Sequence, residues 1–490
     1  MKFLSLDVGT TCCKYQLFDE NGNILDYKSQ EYSLKKVDNE LYVDVETIKN
    51  LVLNMLKQAT KTAKYNSIAI STLGESFVLL DKEDNVLFLP MIYTDARGEK
   101  QAEWLTEKFG KEQLFEKMGV LPQSMYSISK LLYIKENHPE IFAKADKVML
   151  MCDYLGYILS GKRVIDYSLA SRTGVFNVNN LEFDKEVLNE IGVNIGLFST
   201  PMRAGSKVGS LRQELLKELG LDDCTLVLGS HDQVCATLGA GVIESGQSAD
   251  GMGTVECITV LFDKKPNDIK MGLQGYPVVP FGIEGLYCTY ILNLSNGSIV
   301  NWFKNEILHK YTGEEQNFFA YIEKGMKDTP TGILTLPYFG GAATPYQDIN
   351  AKGAFIGVNL QTTDSDLYKS ILEGTACEMR LNAEVVKEYG IEIKSEVATG
   401  GGANSDKWLQ IKVDVQNIPI KTLRSSEGGL CGVAILQAVA MGVAKDIKQA
   451  VEIFVKYKNE FVPNKNMNAL YQSQYEKYKS LYQAVKNLIK

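Results

Sequence analysis

The segment Asp7-Val8-Gly9-Thr10-Thr11 lies between two short apolar runs, Phe3 to Leu6 and Cys13 to Phe18, and the second run leads into the turn Asp19-Glu20-Asn21-Gly22. The pattern predicts a β-hairpin with a polar tip. A dinucleotide-binding fold would pass from its glycine loop directly into a helix, and a P-loop would show a lysine after its second glycine. This chain does neither. The tip still has what an anion needs: glycine lets the backbone approach, Thr10 and Thr11 add hydroxyl donors, and Asp7 can hold a divalent cation through water. An ordinary Asp-Gly turn between strands reads the same way, so the hairpin alone does not decide.

Strand and helix patterns alternate along the rest of the chain. Helical periodicity covers Val45 to Lys64, strands follow at Ser67 to Ser71 and Phe77 to Asp81, and Glu99 to Leu159 is mostly helical. The chain has 490 residues, and single cores stop growing at about 250–300 residues, so two large domains are expected. The glycine-rich run Gly239 to Gly253 marks the passage between them, giving domains 1–246 and 247–490. The second half repeats the theme, with a Gly-Thr turn at Gly253-Thr254, an apolar strand at Cys257 to Phe262, and a triple-glycine turn at Gly400 to Gly402 opening a helix through Trp408 and Ile411. Tyr471, Tyr475, Tyr478 and Tyr482 form one stripe of a terminal helix that packs on the second domain. The fold class is α/β.

Charge excludes several functions. A formal net charge of -8 argues against a nucleic-acid or anionic-membrane surface, because both need a basic face. No apolar run is long enough to span a bilayer and the N-terminus lacks a secretory pattern, so a cytoplasmic protein acting on small molecules is expected. Nine cysteines without a Cys-x-x-Cys pair, and only His138, His231 and His309, predict buried reduced thiols rather than zinc or disulfides.

Five further segments place polar groups where chemistry can occur. Gly251-Met252-Gly253-Thr254 offers amides and a hydroxyl for phosphate, although a glycine-rich linker reads alike. Gly401, Gly402 and Asn404 form a close-approach turn at a helix start, suited to adenine and ribose or to a plain strand-to-helix corner. Asp232, in Ser230-His231-Asp232-Gln233, stands where a strand ends and a helix begins, and serves either as acceptor of a hydroxyl proton or as a helix N-cap. Gly74-Glu75-Ser76 and Tyr93-Thr94-Asp95-Ala96-Arg97 set charges beside apolar strands, as a hydroxyl-rich ligand requires and as a salt-bridged turn also would.

Taken in order, DVGTTCCK, the block from GESFVLL to YTDARG, SHDQVCATLGAG, ADGMGTVECI, the LPYFGGAATPYQD region, ATGGGANSDKWLQ and EGGLCGVAILQAVAMG resemble the FGGY carbohydrate kinases, a branch of the actin, sugar-kinase and Hsp70 ATPase superfamily, over nearly the whole chain. The resemblance implies two actin-like (ribonuclease H-like) ATPase domains with a cleft between them, the first binding sugar and carrying the catalytic aspartate, the second binding nucleotide and bearing the terminal helix. It implies ATP as donor with Mg²⁺, Asp232 as catalytic base in contact with the sugar, and Asp7 as the carboxylate near the metal. Thr10, Thr11, Gly253 and Thr254 would serve the phosphates, Gly401, Gly402 and Asn404 the adenosine, and Glu75 and Asp95 the sugar. A homodimer is the usual assembly of such enzymes. The acceptor implied first is a ketopentose such as xylulose; glycerol or a tetritol, gluconate, and a deoxy-ketose such as rhamnulose or fuculose remain alternatives. Gly74-Glu75-Ser76 replaces the Met-His-Gly of xylulose kinases, Tyr93 replaces their tryptophan, and the Ser-His-Asp sequence is closer to deoxy-ketose kinases. A non-catalytic sugar- and ATP-binding protein of the same superfamily is the alternative of another class. Transfer requires exclusion of water from the γ-phosphate, so the two domains are expected to close on ligand. Small-angle scattering with an ATP analogue plus sugar should register compaction; an unchanged profile would refute closure.

Overall fold

Strand β1 (Lys2–Val8) turns through Gly9 to Thr11 into β2 (Cys12–Asp19), and the two pair antiparallel with Val8 opposite Cys13. In this computed structural model, which describes residues 1–308, 315–425 and 427–488, the hairpin is the centre of the first of two compact units. Unit 1 comprises Met1–Ile243, Pro277–Cys288 and Glu427–Val455; unit 2 comprises Glu244–Tyr276, Thr289–Ser426 and Lys456–Lys490. His309 lies outside the described residues.

In unit 1, β2 continues into β3 (Ile24–Glu31), and helix α1 (Val45–Thr62) carries the chain to β4 (Ser67–Thr72), which pairs parallel with β1. Asp44 caps α1 by accepting from the Thr47 amide at 3.1 Å, and its Ile48, Val52, Met55, Leu56 and Ala59 face is buried against the sheet, as the periodicity predicts. The stretch from Glu99 to Leu159 is helical in several pieces and contains one strand, Lys147–Leu150. Beyond it come β5 (Lys207–Ser210), β6 (Thr225–Val227), β7 (Ser230–His231) and helix α2 (Asp232–Gly239). The sheet order is β5-β6-β4-β1-β2-β3, with β7 on the far end of β4.

Helix α2 packs on the later helix Gly428–Ala440 at backbone distance. A Cβ at Gly239 would stand 1.9 Å from the Gly428 carbonyl oxygen, and one at Gly432 would stand 1.9 Å from that of Cys235. Only glycine allows the two helices this approach.

Unit 2 repeats the plan. β8 (Gln247–Met252) and β9 (Glu256–Phe262) form a hairpin, flanked by β10 (Tyr287–Asn293), helix α3 (Asp364–Glu388), β11 (Ser395–Thr399), helix α4 (Asp406–Gln416), β12 (Ile420–Leu423), β13 (Tyr457–Phe461) and the terminal helix α5 (Lys465–Val485). The order is β10-β9-β8-β11-β12-β13, with β8, β11 and β12 parallel. All four tyrosines of the terminal stripe are buried; Tyr471 and Tyr478 donate to Glu373 and Glu378 of α3 at 3.1 and 2.6 Å. The nine cysteines are free thiols, and among the described residues no helix is long and apolar enough to cross a membrane.

Gly432→Ala should lower stability by about 1–3 kcal/mol or more, because the methyl group meets a carbonyl that cannot rotate away. Urea unfolding of the variant checks this, with Gly442→Ala at an open position expected to report only the smaller left-handed strain of its turn.

Candidate active site

The register of three parallel strand ends builds the acidic centre of unit 1. Asp7 of β1 lies opposite Ser71 of β4, and Ser71 lies opposite Ser230 of β7, so Asp232 emerges one residue past the same sheet edge. Ser71 Oγ donates to Asp7 Oδ1 at 2.7 Å. Burial pushes the Asp7 carboxyl up to about 6, with the Ser71 bond opposing and the charge of Asp232 adding to the rise. A Cβ on Gly429, in the first turn of the helix Gly428–Ala440, would stand 3.1 Å from Asp7 Oδ1.

Asp232 opens α2 but does not cap it. The N-cap is His231, whose side chain makes no capping hydrogen bond, and the Asp232 carboxylate accepts from the next amide, Gln233, at 2.7 Å. Its side chain is 35% exposed. Desolvation and then the charge of Glu75 push it up to about 7. His231 Nε2 stands 3.1 Å from Asp232 Oδ1, and burial lowers this imidazole to about 4, so it is neutral near pH 7. Behind this pair, buried Asp166 accepts from Ser168 Oγ at 2.7 Å and from Ser230 Oγ at 2.8 Å, fixing the strand end that delivers Asp232.

Glu75 holds a left-handed backbone (φ 59°), a conformation that costs a non-glycine residue on the order of 1–3 kcal/mol and that clusters at functional sites. Its buried carboxylate is bound by the Arg172 guanidinium through Nε and Nη2, and Arg172 also stacks 5.1 Å over the Tyr126 ring. Ser127 Oγ donates to the Glu75 carbonyl at 2.7 Å. Gly74 has to be small, since a Cβ there would stand 2.9 Å from His231 Nε2. Asp95 is buried and gripped by Arg97 through Nε at 3.0 Å and Nη2 at 2.5 Å; burial alone would raise its carboxyl, but the Arg97 bonds hold it below the usual range. Fully buried Lys130 donates to the Met125 carbonyl at 3.1 Å and faces the charges of Asp95 and Glu75, while burial lowers its ammonium to about 8.

Two of these groups were missed by sequence reasoning. Arg172 sits in Ala170-Ser171-Arg172-Thr173-Gly174, which carries no pattern. Lys130 did leave a signal: it interrupts the run Ile128 to Leu132 on the buried face of a helix, where a lysine needs a reason.

Thr10 and Thr11 stay at the turn of the unit 1 hairpin, and unit 2 brings Gly253, Thr254, Gly401, Gly402 and Asn404 together. The β8–β9 hairpin exposes Gly253 and Thr254 at its tip, and the amides of Gly297 and Ser298 hold their carbonyls at 3.0 and 3.1 Å. The turn Gly400 to Asn404 rests on this hairpin: Gly400 has φ 84°, and a Cβ on it would stand 2.8 Å from the Met252 carbonyl oxygen. A Cβ on Gly401 would meet nothing within 4 Å, so the protein itself leaves room beside that backbone. The Asn404 side chain donates to the Gly401 carbonyl at 3.3 Å, and Ser405 caps α4 through the Trp408 amide at 3.2 Å. A cavity of about 470 Å³ opens at the carboxyl ends of β11 and β12, lined by Gly400, Ala403, Asn404, Thr422, Arg424 and Lys458. Strand ends of this kind are where α/β sheets bind ligands, and the space fits a nucleoside. Arg424 and Lys458 add positive charge that no sequence motif announced. Among the described residues no three acidic, histidine or cysteine side chains gather into a metal cluster; a Mg²⁺ ion held mainly by water and phosphate needs no more than one or two carboxylates.

Comparison with known proteins matches residues 2–239 to the N-terminal domain and residues 251–441 to the C-terminal domain of the FGGY family of carbohydrate kinases. The chain is 28% identical over 497 residues to the xylulose kinase of Staphylococcus epidermidis, covering 99% of this chain and 97% of that one. It is 27% identical over 501 residues to the xylulose kinase of Bacillus subtilis, covering 100% and 98%. Among solved structures, the gluconate kinase of Lactobacillus acidophilus superposes with a TM-score of 0.90 at 24% identity, covering 99% and 98%.

The Arg172–Glu75 pair generates a stability prediction. Arg172→Met leaves a buried carboxylate without its partner and should cost about 3–5 kcal/mol, read from urea unfolding, whereas the double variant Arg172→Met/Glu75→Gln should recover a large part of that loss.

Proposed function

The chain belongs to the FGGY family of carbohydrate kinases and is an ATP-dependent sugar kinase, and we propose that Asp232 is its catalytic base and a neutral ketopentose such as xylulose its acceptor. The observation that carries the first part is the placement of Asp232 at the open end of the sheet, uncommitted to helix capping and raised to about 7. A base with its pKa near the working pH combines an ionised ground state with the capacity to take a proton.

In this reading the acceptor hydroxyl donates its hydrogen bond to the Asp232 carboxylate, while neutral His231 donates to Asp232 Oδ1 and fixes its orientation. As the hydroxyl oxygen bonds to the γ-phosphorus, the bond from that phosphorus to the β–γ bridging oxygen breaks. ADP leaves, and the hydroxyl proton ends on Asp232. Gly253 with Thr254, and Thr10 with Thr11, are assigned to the phosphate oxygens through amides and hydroxyls. Gly401, Gly402 and Asn404 are assigned to adenosine, for which the open side of Gly401 and the adjoining cavity provide the support. Asp7 is the candidate carboxylate for Mg²⁺, which neutralises phosphate charge when bound. Its carboxyl carries the negative fields of Asp232 and Glu427, and a cation would relieve them.

For the acceptor, the support is electrostatic as well as comparative. Arg172 binds Glu75, Arg97 binds Asp95, and Lys130 faces both carboxylates. An acid such as gluconate would bring its charge toward Glu75 and Asp232. A neutral polyhydroxy ketone finds carboxylates to accept its hydroxyl protons and guanidinium N–H groups for its oxygens.

Asp232→Asn should reduce turnover by about 10²–10⁴-fold with both KM values little changed, whereas a non-catalytic binding protein would have no turnover to lose. In the unaltered enzyme, with Asp232 raised to about 7, the ionised base is lost as pH falls. The rate should therefore drop about tenfold per unit well below that value and level off above it. A pH profile of ADP release with a panel of neutral and acidic sugars checks both statements, and preference for gluconate over xylulose would overturn the acceptor assignment.

A further inference from the structure

Directly beneath the two glycine turns of unit 2, one ammonium is enclosed by three carboxylates. Lys412 of α4 reaches Asp250 of β8, Glu256 of β9 at 2.5 Å and Glu396 of β11 at 3.5 Å. All four side chains are 0–1% exposed. Their positions in the chain are specific. Asp250 immediately precedes Gly251, Glu256 follows Val255 on the other limb of the same hairpin, Glu396 lies three residues before Thr399-Gly400, and α4 is the helix that the Gly400 to Asn404 turn opens. The ammonium therefore ties both limbs of the phosphate hairpin to both flanks of the nucleoside turn. Above it the two turns touch, with the Gly400 and Gly402 Cβ positions 2.8 and 2.9 Å from Met252 atoms.

Stability alone is a poor reason for this arrangement. Three carboxylates around one cation leave surplus negative charge in a desolvated place, and buried ion clusters are commonly replaceable by apolar side chains without loss of stability. Burial pushes Glu256 and Glu396 upward, and the carboxylates hold the Lys412 ammonium protonated against its own burial. What such a cluster provides is a fixed relative geometry, because no partner can move without stranding a buried charge.

We propose that Lys412 is a positioning residue for the donor: it sets the register between the Gly251 to Thr254 hairpin and the Gly400 to Asn404 turn, so that nucleotide affinity, and not sugar affinity, depends on it. The proposal rests on the assignment of those two turns to ATP. It is distinct from catalysis, since Lys412 is walled off from any bound ligand by the strands it joins.

The test compares full-length Lys412→Met and Glu256→Gln with the unaltered enzyme, reading KM for ATP, KM for the sugar, and thermal melting. Glu256→Gln weakens the tie of the β9 limb to the ammonium while keeping the side-chain volume, and because it also removes surplus charge it should melt no lower than the parent. Lys412→Met should raise KM for ATP about tenfold or more, and Glu256→Gln about threefold or more, with KM for the sugar within about twofold in both. If Lys412→Met does not fold, Glu256→Gln decides alone. ATP KM values within about twofold of the parent, or equal rises for ATP and sugar, would overturn the proposal. Thr254→Ala and Gly402→Ala run in parallel test the underlying assignment. If these two weaken ATP binding while the cluster variants do not, only the Lys412 proposal fails; if these two leave ATP binding unchanged, the assignment of the turns fails and the proposal with it.

Discussion

The in-register ending of β1, β4 and β7 is the constraint from which the acidic site of unit 1 follows. Parallel strands alternate side chains, so neighbours at one level face the same way. With Asp7 level with Ser71, and Ser71 level with Ser230, the sheet delivers Asp7 and Asp232 to one edge. A slip of one residue in any of these pairings would turn Asp7 or Ser71 to the other face. The hydrogen bond from Ser71, the Asp166–Ser168–Ser230 network and the glycine contact between α2 and the helix Gly428–Ala440 all keep that register. Burial and the charge of Asp232 raise the Asp7 carboxyl, and burial and the charge of Glu75 raise that of Asp232.

Much of this is legible in the sequence. The hairpin, the strand-to-helix step at His231-Asp232 and the tyrosine stripe were read from short-range pattern, because a turn, a cap or a periodic face is written in neighbouring residues. The cap alternative for Asp232 was equally legible and lost on a geometric detail, the conformation that made His231 the N-cap. The partners of the site were harder. Arg172 meets Glu75 across 97 positions and Lys412 meets Asp250 across 162, and nothing near either residue advertises the pairing. Lys412 in particular stands three residues after Leu409 and four after Trp408 on α4, and nothing in that stretch names its three partners. Long-range charge pairing leaves no local signature.

The acceptor side shows how a motif comparison and a structure can address the same ambiguity differently. Gly74-Glu75-Ser76 departs from the Met-His-Gly pattern, and at Gly74 the cause is spatial: His231 occupies the volume that any larger side chain would need. Glu75 takes its guanidinium partner from Arg172, at the end of a helix distant in sequence.

The two halves of the chain build the same hairpin with an aspartate near its end, and they treat that charge in opposite ways. Asp250 is sealed in against Lys412, an ammonium it shares with Glu256 and Glu396. Asp7 accepts from the Ser71 hydroxyl, and Lys14, whose charge opposes the rise of its carboxyl, is bound to Glu427. One copy of the motif has thus become a strut, made permanent by an internal counter-ion. The other has a hydroxyl beside it, and among the described residues no buried lysine is bound to it. A duplicated structural plan can divide its labour in this manner through the gain or absence of a single buried lysine.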